Sequence, residues 1–313
     1  MEPVITITPN PCIDISARIP SLQAERKLHC TSAKKEPGGG GINVSRVIKR
    51  LGGETKAIYL AGGYTGEYFT KMLHAEKVST LPIEIANHTR ENFVVADEST
   101  NLQYRFGMPG PLVSEAEWKQ LLTELAALYG MKYIVASGSL TEGMPTDFFA
   151  RIAHIAKQKN AKLILDTAGE PLHAALKEGV FMIKPNAAEL GYISGIEKPD
   201  KNSALKAARS IIAKNKCEVV VVSMGAAGAL LVTGSNAGYA VPPPVSIKST
   251  VGAGDSMVAG IVLSLSNNKT FSEALRYGVA CGTAATMNEG TALCSETDVI
   301  QLYRKLGKQE SIF

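Results

Sequence analysis

The sequence predicts an α/β fold, a mostly parallel sheet with helices on both faces, and three observations predict it. Strand-like and helix-like runs alternate along the 313 residues, and such alternation implies right-handed β–α–β crossovers. The strand-like runs at 133–136, 163–165, 181–183 and 219–222 are short, continuous and rich in β-branched residues, as strands buried on both faces are. Polar clusters follow these runs. Asn10-Pro11, Ser137-Gly138-Ser139, Asp166, Lys184-Pro185-Asn186 and Ser223-Met224-Gly225 each stand just past a strand's carboxyl end, the edge along which open α/β sheets bind ligands.

The elements follow in order. Residues 4–8 alternate apolar and polar and read as a first strand. Residues 42–51 carry apolar side chains at 44, 47, 48 and 51 and stop at Gly52-Gly53, a helix with a glycine stop signal. Helices are expected at 65–76, 146–159, 203–215, 254–266, 272–288 and 296–306, with a further strand at 229–232. Two segments, 13–35 and 83–106, break the alternation. They are polar, hold strand-like pieces at 92–96 and 102–106 and no convincing helix, and could form one small sheet together.

Composition narrows the function. Hydrophobic residues make up 45% and charged residues 20%, ordinary for a chain that buries a core. The net charge of +4 comes without a basic cluster, which argues against a nucleic-acid partner. The apolar run at 219–232 is too short and glycine-rich for a membrane span, and the first residues lack the form of a signal peptide. Five cysteines without a C-x-x-C fit free thiols in a reducing cytoplasm. Neither G-x-x-x-x-G-K-[ST] nor a Rossmann G-x-G-x-x-G after a strand occurs.

The most informative stretch is 249–260, Ser-Thr-Val-Gly-Ala-Gly-Asp-Ser-Met-Val-Ala-Gly. A helix that opens on Gly252, Ala253 and Gly254 presents free backbone N–H groups and its positive dipole end, an anion site. Asp255 stands in the first turn. A carboxylate beside a phosphate is electrostatically unwelcome unless it takes a proton from an attacking hydroxyl; the alternative is a plain N-cap. With the helix dipole favouring ionisation, Asp255 needs no raised pKa. Far upstream, Glu36-Pro37-Gly38-Gly39-Gly40-Gly41-Ile42-Asn43-Val44 places four glycines where backbone can touch a ligand, then a buried amide that needs partners. Asn186 and Glu189 lie one turn apart on one face, either a metal pair or a solvated helix start. Ser223, Gly225 and Gly228 suit a turn between strands. Lys27, Arg90 and Arg105 all lie in the two insertions. A phosphate-bearing ligand would call for such cations; ordinary surface charge is the alternative.

Residues 249–258 and 36–44, in that order from the two ends, resemble the signatures of the ribokinase-like, or PfkB-type, carbohydrate kinases. The likeness covers essentially the whole chain. The stretches 103–106, 108–110, 241–245 and 290–295 bring it nearest to the 6-phosphofructokinase, tagatose-6-phosphate kinase and 1-phosphofructokinase members. The resemblance implies a single ribokinase-like three-layer α/β/α domain over 1–313, with a small β-sheet lid from segments at about 13–35 and 83–106. It implies ATP-dependent phosphorylation of a phosphorylated ketohexose, fructose 6-phosphate to fructose 1,6-bisphosphate first, with Asp255 as general base. A catalytically inactive sugar-phosphate sensor is the reading from a different class. By resemblance, Asp14, Asn43, Ser139 and the four glycines orient the sugar; Lys184, Asn186, Ser223, Gly225, Gly228, Val279 and Thr283 border the nucleotide; and Asn186 and Glu189 hold Mg²⁺ largely through water. Ser249, Val251, Ala285, Asn288 and Gly290 match positions whose oxygens bind K⁺ in relatives. Arg26 and His29 depart from the family pattern beside Lys27. A cytoplasmic homodimer joined through the lid completes the expectation.

Overall fold

The computed structural model describes residues 3–31, 33–197, 199–214 and 217–306. Its main sheet is built from β1 (Val4–Thr8), β4 (Thr55–Ala61), β5 (Ser79–Glu84), β8 (Tyr133–Ser137), β9 (Lys162–Asp166), β10 (Val180–Ile183), β11 (Cys217–Ser223), β12 (Ala229–Thr233) and β13 (Ala237–Ala240). The nine strands run in the order β13-β12-β11-β10-β9-β8-β1-β4-β5. Pairing is parallel from β5 across to β11 and antiparallel only at β12 and β13.

Alternate residues of each strand feed opposite layers. Along β8, Ile134 and Ala136 pack with α3 (Glu115–Ala127), α4 (Phe148–Gln158), α5 (Gly169–Glu178), α6 (Ala187–Ser194) and α7 (Lys201–Lys214). Tyr133 and Val135 pack with α1 (Gly40–Arg50), α8 (Ala253–Ser266), α9 (Phe271–Thr286) and α10 (Glu296–Leu306). The period of two in the strands is what divides one sheet between two cores. A smaller cluster, centred on Tyr59, Phe69 and Leu73, lies under α2 (Gly63–Ala75).

A second sheet of four strands stands apart: β3 (Lys34–Gly38), β2 (Cys12–Ile19), β6 (Arg90–Asp97) and β7 (Leu102–Phe106), in that order. It collects both insertions, with one adjustment. Residues 79–84 pair with β4 in the main sheet, so the small sheet begins at Arg90 rather than at 83; Ile83 and Ile85 are buried in the main core.

From β1 the chain moves through β4 and β5 to one side of the sheet and through β8 to β11 to the other. The strand order therefore reverses between β1 and β8. A crevice opens at such a point, beyond the strands' carboxyl ends.

Candidate active site

The crevice is a cleft of about 680 Å³. Its walls come from β2, β6 and β7 of the small sheet and from the loops after β8 and β9. The Gly39-Gly40 entry to α1, Val251, Asp255, Glu189 and Thr291 complete it. Gly40 is required by contact: a Cβ there would run into Ser137 Oγ across the switch point. Small residues let α1 start against the sheet edge and carry Asn43 into the cleft.

Helix α8 begins as its sequence suggests. Gly252 is the N-cap, in the left-handed region at φ 71°, and offers no side-chain cap. The first bond inside the helix runs from Ser256 N to Gly252 O at 2.8 Å, so the N–H groups of the residues before it have no partner within the helix. Lys184 Nζ would stand 3.3 Å from a Cβ on Gly254, which puts a cation beside the open amides. Lys184 is itself buried and paired with Asp166 Oδ1 at 3.2 Å. Burial alone would lower its pKa; the Asp166 carboxylate, with the Asp255 and Glu189 charges nearby, outweighs burial, and the net shift is upward.

Asp255 accepts a hydrogen bond from Asn43 Nδ2 at 2.9 Å. Burial, helped by the negative charges of Asp166 and Asp14, pushes its carboxyl up to about 6, against the pull of Asn43 and Lys184. The sequence expectation of no raised pKa is corrected here. The helix terminus favours the anion, but loss of solvent and two neighbouring carboxylates win.

Asp14 lies across the cleft on β2. Its Oδ1 accepts from Cys12 Sγ and from Asn92 Nδ2, each at 3.2 Å, and Asn92 Oδ1 is held by Met108 N at 3.0 Å. Burial raises the Asp14 pKa, with the Cys12 and Asn92 bonds opposing. The Cys12 thiol is pushed well up by burial and by Asp14, so it is a protonated donor. Ser139 lines the cleft and accepts from Asn10 Nδ2 at 3.2 Å.

The profile of the pfkB family carbohydrate kinases matches residues 3–298. The chain belongs to the pfkB family of carbohydrate kinases. It is a phosphotransferase with a hydroxyl acceptor, on the ribokinase-like α/β fold. This pfkB kinase is similar to the ATP-dependent 6-phosphofructokinase isozyme 2 of Escherichia coli K12, 41% identical over 98% of this chain and 100% of the relative. It is 33% identical to the 1-phosphofructokinase of Bacillus subtilis, over 91% of this chain and 93% of the relative. The crystal structure of Escherichia coli phosphofructokinase-2 in complex with fructose-6-phosphate superposes with a TM-score of 0.93 at 39% identity, covering 98% of this chain and 100% of that one.

Not every expected residue reaches the cleft. Arg105 lines it and donates to Thr250 Oγ1 at 3.1 Å. Arg90 is outside the lining; its Nη1 and Nη2 donate to Met108 O and Asn10 O at 3.0 and 3.1 Å, tying β6 to the loop after β1. Lys27 lies exposed in the loop between β2 and β3, away from the lining. Gly38 and Gly41 pack behind it, against Asp14 and Ile7. Asn186 and Glu189 form a reciprocal capping box on α6: Glu189 N donates to Asn186 Oδ1 and Asn186 N to Glu189 Oε2, both at 2.8 Å. Ser223 bridges to Asn186, and Gly225 and Gly228 turn the chain between β11 and β12. Val279 and Thr283 are buried in α9, where Thr283 Oγ1 donates to Val279 O at 2.7 Å. The segments holding Ser249, Val251, Ala285, Asn288 and Gly290 do meet. Ser249 N donates to Thr286 O, and Ser249 Oγ donates to Gly290 O at 2.6 Å. Asn288 Nδ2 donates to Ala284 O and Leu293 O.

Cleft residues that the sequence reading assigned no role include Cys12, Asn92, Asp166 and Thr291. Asp166 had a signal, its place just past a strand. The others come from the small sheet and a loop, where spacing marks no face.

The residues fit a hard cation as far as donor chemistry goes. Glu189 keeps one carboxylate oxygen free of the cap and lines the cleft. Among the described residues, no three acidic, His or Cys side chains are grouped to cage an ion, which suits Mg²⁺ that keeps its waters and leans on substrate phosphates.

Proposed function

We propose that this pfkB kinase transfers the γ-phosphoryl group of ATP to fructose 6-phosphate, giving fructose 1,6-bisphosphate and ADP. The observation that carries this is Asp255 at the open start of α8, held by Asn43 and facing Asp14 across the cleft. The sugar lies against the small sheet, oriented by Asp14, Ser139 and the Gly39-Gly40 backbone. Asp255 takes the proton of the attacking hydroxyl. That oxygen forms the new P–O bond as the bond to the β-phosphate bridging oxygen breaks and ADP leaves. The N–H groups of Ala253 and Gly254, with Lys184 beside them, steady the charge on the transferred group. Mg²⁺, when bound through Glu189 and water, neutralises charge on the nucleotide's phosphates. The names of the relatives support the substrate, and Arg105 supplies a fork for its phosphate.

The 33% identity to a 1-phosphofructokinase keeps fructose 1-phosphate as the second reading. The small sheet acts as a lid on one kinase domain. Its outward face supports a homodimer, and free thiols support a cytoplasmic setting. The segments around residues 249–251 and 285–290 would hold K⁺ through their oxygens; the Escherichia coli phosphofructokinase-2 structure in complex with potassium supports this.

Initial rates with ATP and a panel of ketohexoses and their phosphates test the assignment. Fructose 6-phosphate should have the highest kcat/KM, and a preference for fructose 1-phosphate would move the chain to the second reading. Arg105→Ala should raise KM for fructose 6-phosphate roughly ten- to a hundredfold, the worth of one charge-assisted hydrogen bond. Equal loss on unphosphorylated fructose would show that Arg105 shapes the lid only.

A further inference from the structure

The Asn43 carboxamide has two ends, and only Nδ2 suits an ionised Asp255; Oδ1 would repel it. Arg46 stands one helical turn further along α1. Arg46 is 1% exposed. Its Nη1 donates to Pro37 O at 2.7 Å and reaches Asn43 Oδ1 at 3.5 Å. Nε and Nη2 grip the Glu76 carboxylate at 2.7 to 3.1 Å, and Nη2 is 3.5 Å from Glu36 Oε1. Glu36 Oε2 accepts in turn from Thr291 Oγ1 at 2.9 Å. A guanidinium has donors and no acceptor, so the side it turns to Asn43 admits only the amide oxygen.

We propose that Arg46 is a positioning residue for phosphoryl transfer, which locks the Asn43 carboxamide so that Nδ2 and not Oδ1 faces Asp255. It acts from inside the core, through Asn43. The inference rests on the reading of Asp255 as the base. A flipped amide would set oxygen against carboxylate and nitrogen against guanidinium, two repulsions at once. Two carboxylates, a carbonyl and an amide oxygen on one buried side chain are more than helix packing calls for. Its contact with Asn43 joins it to an amide that meets Asp255.

Arg46→Lys tests this. The lysine keeps the charge for Glu76 but cannot span Pro37 O, Asn43 and Glu36 together. We expect kcat to fall about five- to fiftyfold while KM for ATP changes less than twofold. The acid limb of the kcat profile should move to higher pH, because Asp255 loses a fixed donor. Asp255 is also faced by Asp14 and Cys12 of β2, Asp166 of β9 and Lys184 after β10, so the comparison is between variants at one Mg²⁺ concentration. In an Asn43→Ala background, Arg46→Lys should change neither kcat nor the profile further. Glu76→Gln leaves Arg46 an acceptor and should lower the melting temperature without moving the profile. If Arg46→Lys does not fold, Arg46→Met with Glu76→Gln removes the cation and a carboxylate together; Glu36 keeps Lys34 at 3.1 Å. The same upward shift is expected. An unmoved profile in the folded variant overturns the proposal. So does an equal effect without Asn43, which would mean that the Arg46 charge acts directly on Asp14 and Asp255. Asp255→Asn is run alongside: normal turnover there would remove the base itself, a separate failure.

Discussion

Asp255, proposed above as the base, carries a cost in stability. Its carboxyl is raised from 3.8 to about 6 in the folded chain, mainly by burial. Between those values the folded chain keeps a proton that the unfolded chain has released. Stability therefore falls as pH rises through that window and stays reduced above it. About two units, at roughly 1.36 kcal/mol each, put the cost at up to ~3 kcal/mol near neutral pH. Asp255→Asn removes the charge and keeps an acceptor for Asn43 Nδ2. It should gain ~1–3 kcal/mol in urea unfolding at pH 7 and nothing below pH 4, while turnover drops roughly 10²- to 10⁴-fold as expected for a lost base. Equal unfolding midpoints at pH 7 would mean that the carboxylate is solvated after all. For the unchanged enzyme, kcat/KM for the sugar phosphate should fall away below about pH 6. A profile flat down to pH 5 would separate Asp255 from the proton transfer.

At the scale of single elements, the capping box of α6 falls on the residues proposed to hold Mg²⁺. Asn186 and Glu189 satisfy each other's backbone N–H groups. Asn186→Ala should cost ~1 kcal/mol of stability, the usual worth of an N-cap side chain. Glu189→Gln should cost almost none, since glutamine also serves in a capping box. Any rise in the Mg²⁺ concentration needed by Glu189→Gln then reports on the metal alone. An unchanged Mg²⁺ titration would leave Glu189 as a cap only. This ambiguity is one reason the site was only partly legible in sequence. The start of α8 could be read because glycines and an acid at a helix start have few other uses. Arg90 could not be, since a cation facing a ligand and one tying β6 to Asn10 O look alike in sequence. Among elements, the parallel strands from β8 to β11 were legible as continuous apolar runs. β3 and β5 were not, because Pro37 and Pro82 sit within them, and proline argues against a strand unless it lies at an edge; both strands do. α5 opens on Gly169 and was passed over. α3 had its capping box at Ser114 and Glu117 but lay beyond an insertion, where the alternation had already broken.

For the whole molecule, the small sheet has two faces with different fates. Register places Asp14 beside Asn92, and Val94 opposite Arg105, and these residues line the cleft. On alternate positions, Ile15 stands beside Phe93 and Phe106, and Ala17 beside Val95 and Tyr104. That face is apolar, with Phe93 40% and Phe106 46% exposed and Leu102 57% exposed at its end; Phe93 and Phe106 also reach the rim of the cleft. A four-stranded sheet with one wet and one apolar face needs a cover for the second. A second copy of the same sheet is the cover with matching chemistry, since a two-fold axis brings each stripe onto its own like. Tyr104→Lys puts a charge at the centre of the stripe, outside the cleft lining. Sedimentation velocity should then show a monomer, against the dimer proposed for the unchanged chain. With the lid's apolar face uncovered, the monomer should bind its sugar phosphate more weakly while KM for ATP holds, because the nucleotide side rests on the main sheet. A Tyr104→Lys variant that sediments like the unchanged chain would move the subunit contact off this face. A monomer with unaltered sugar affinity would show that each lid closes its own cleft without help from the other copy.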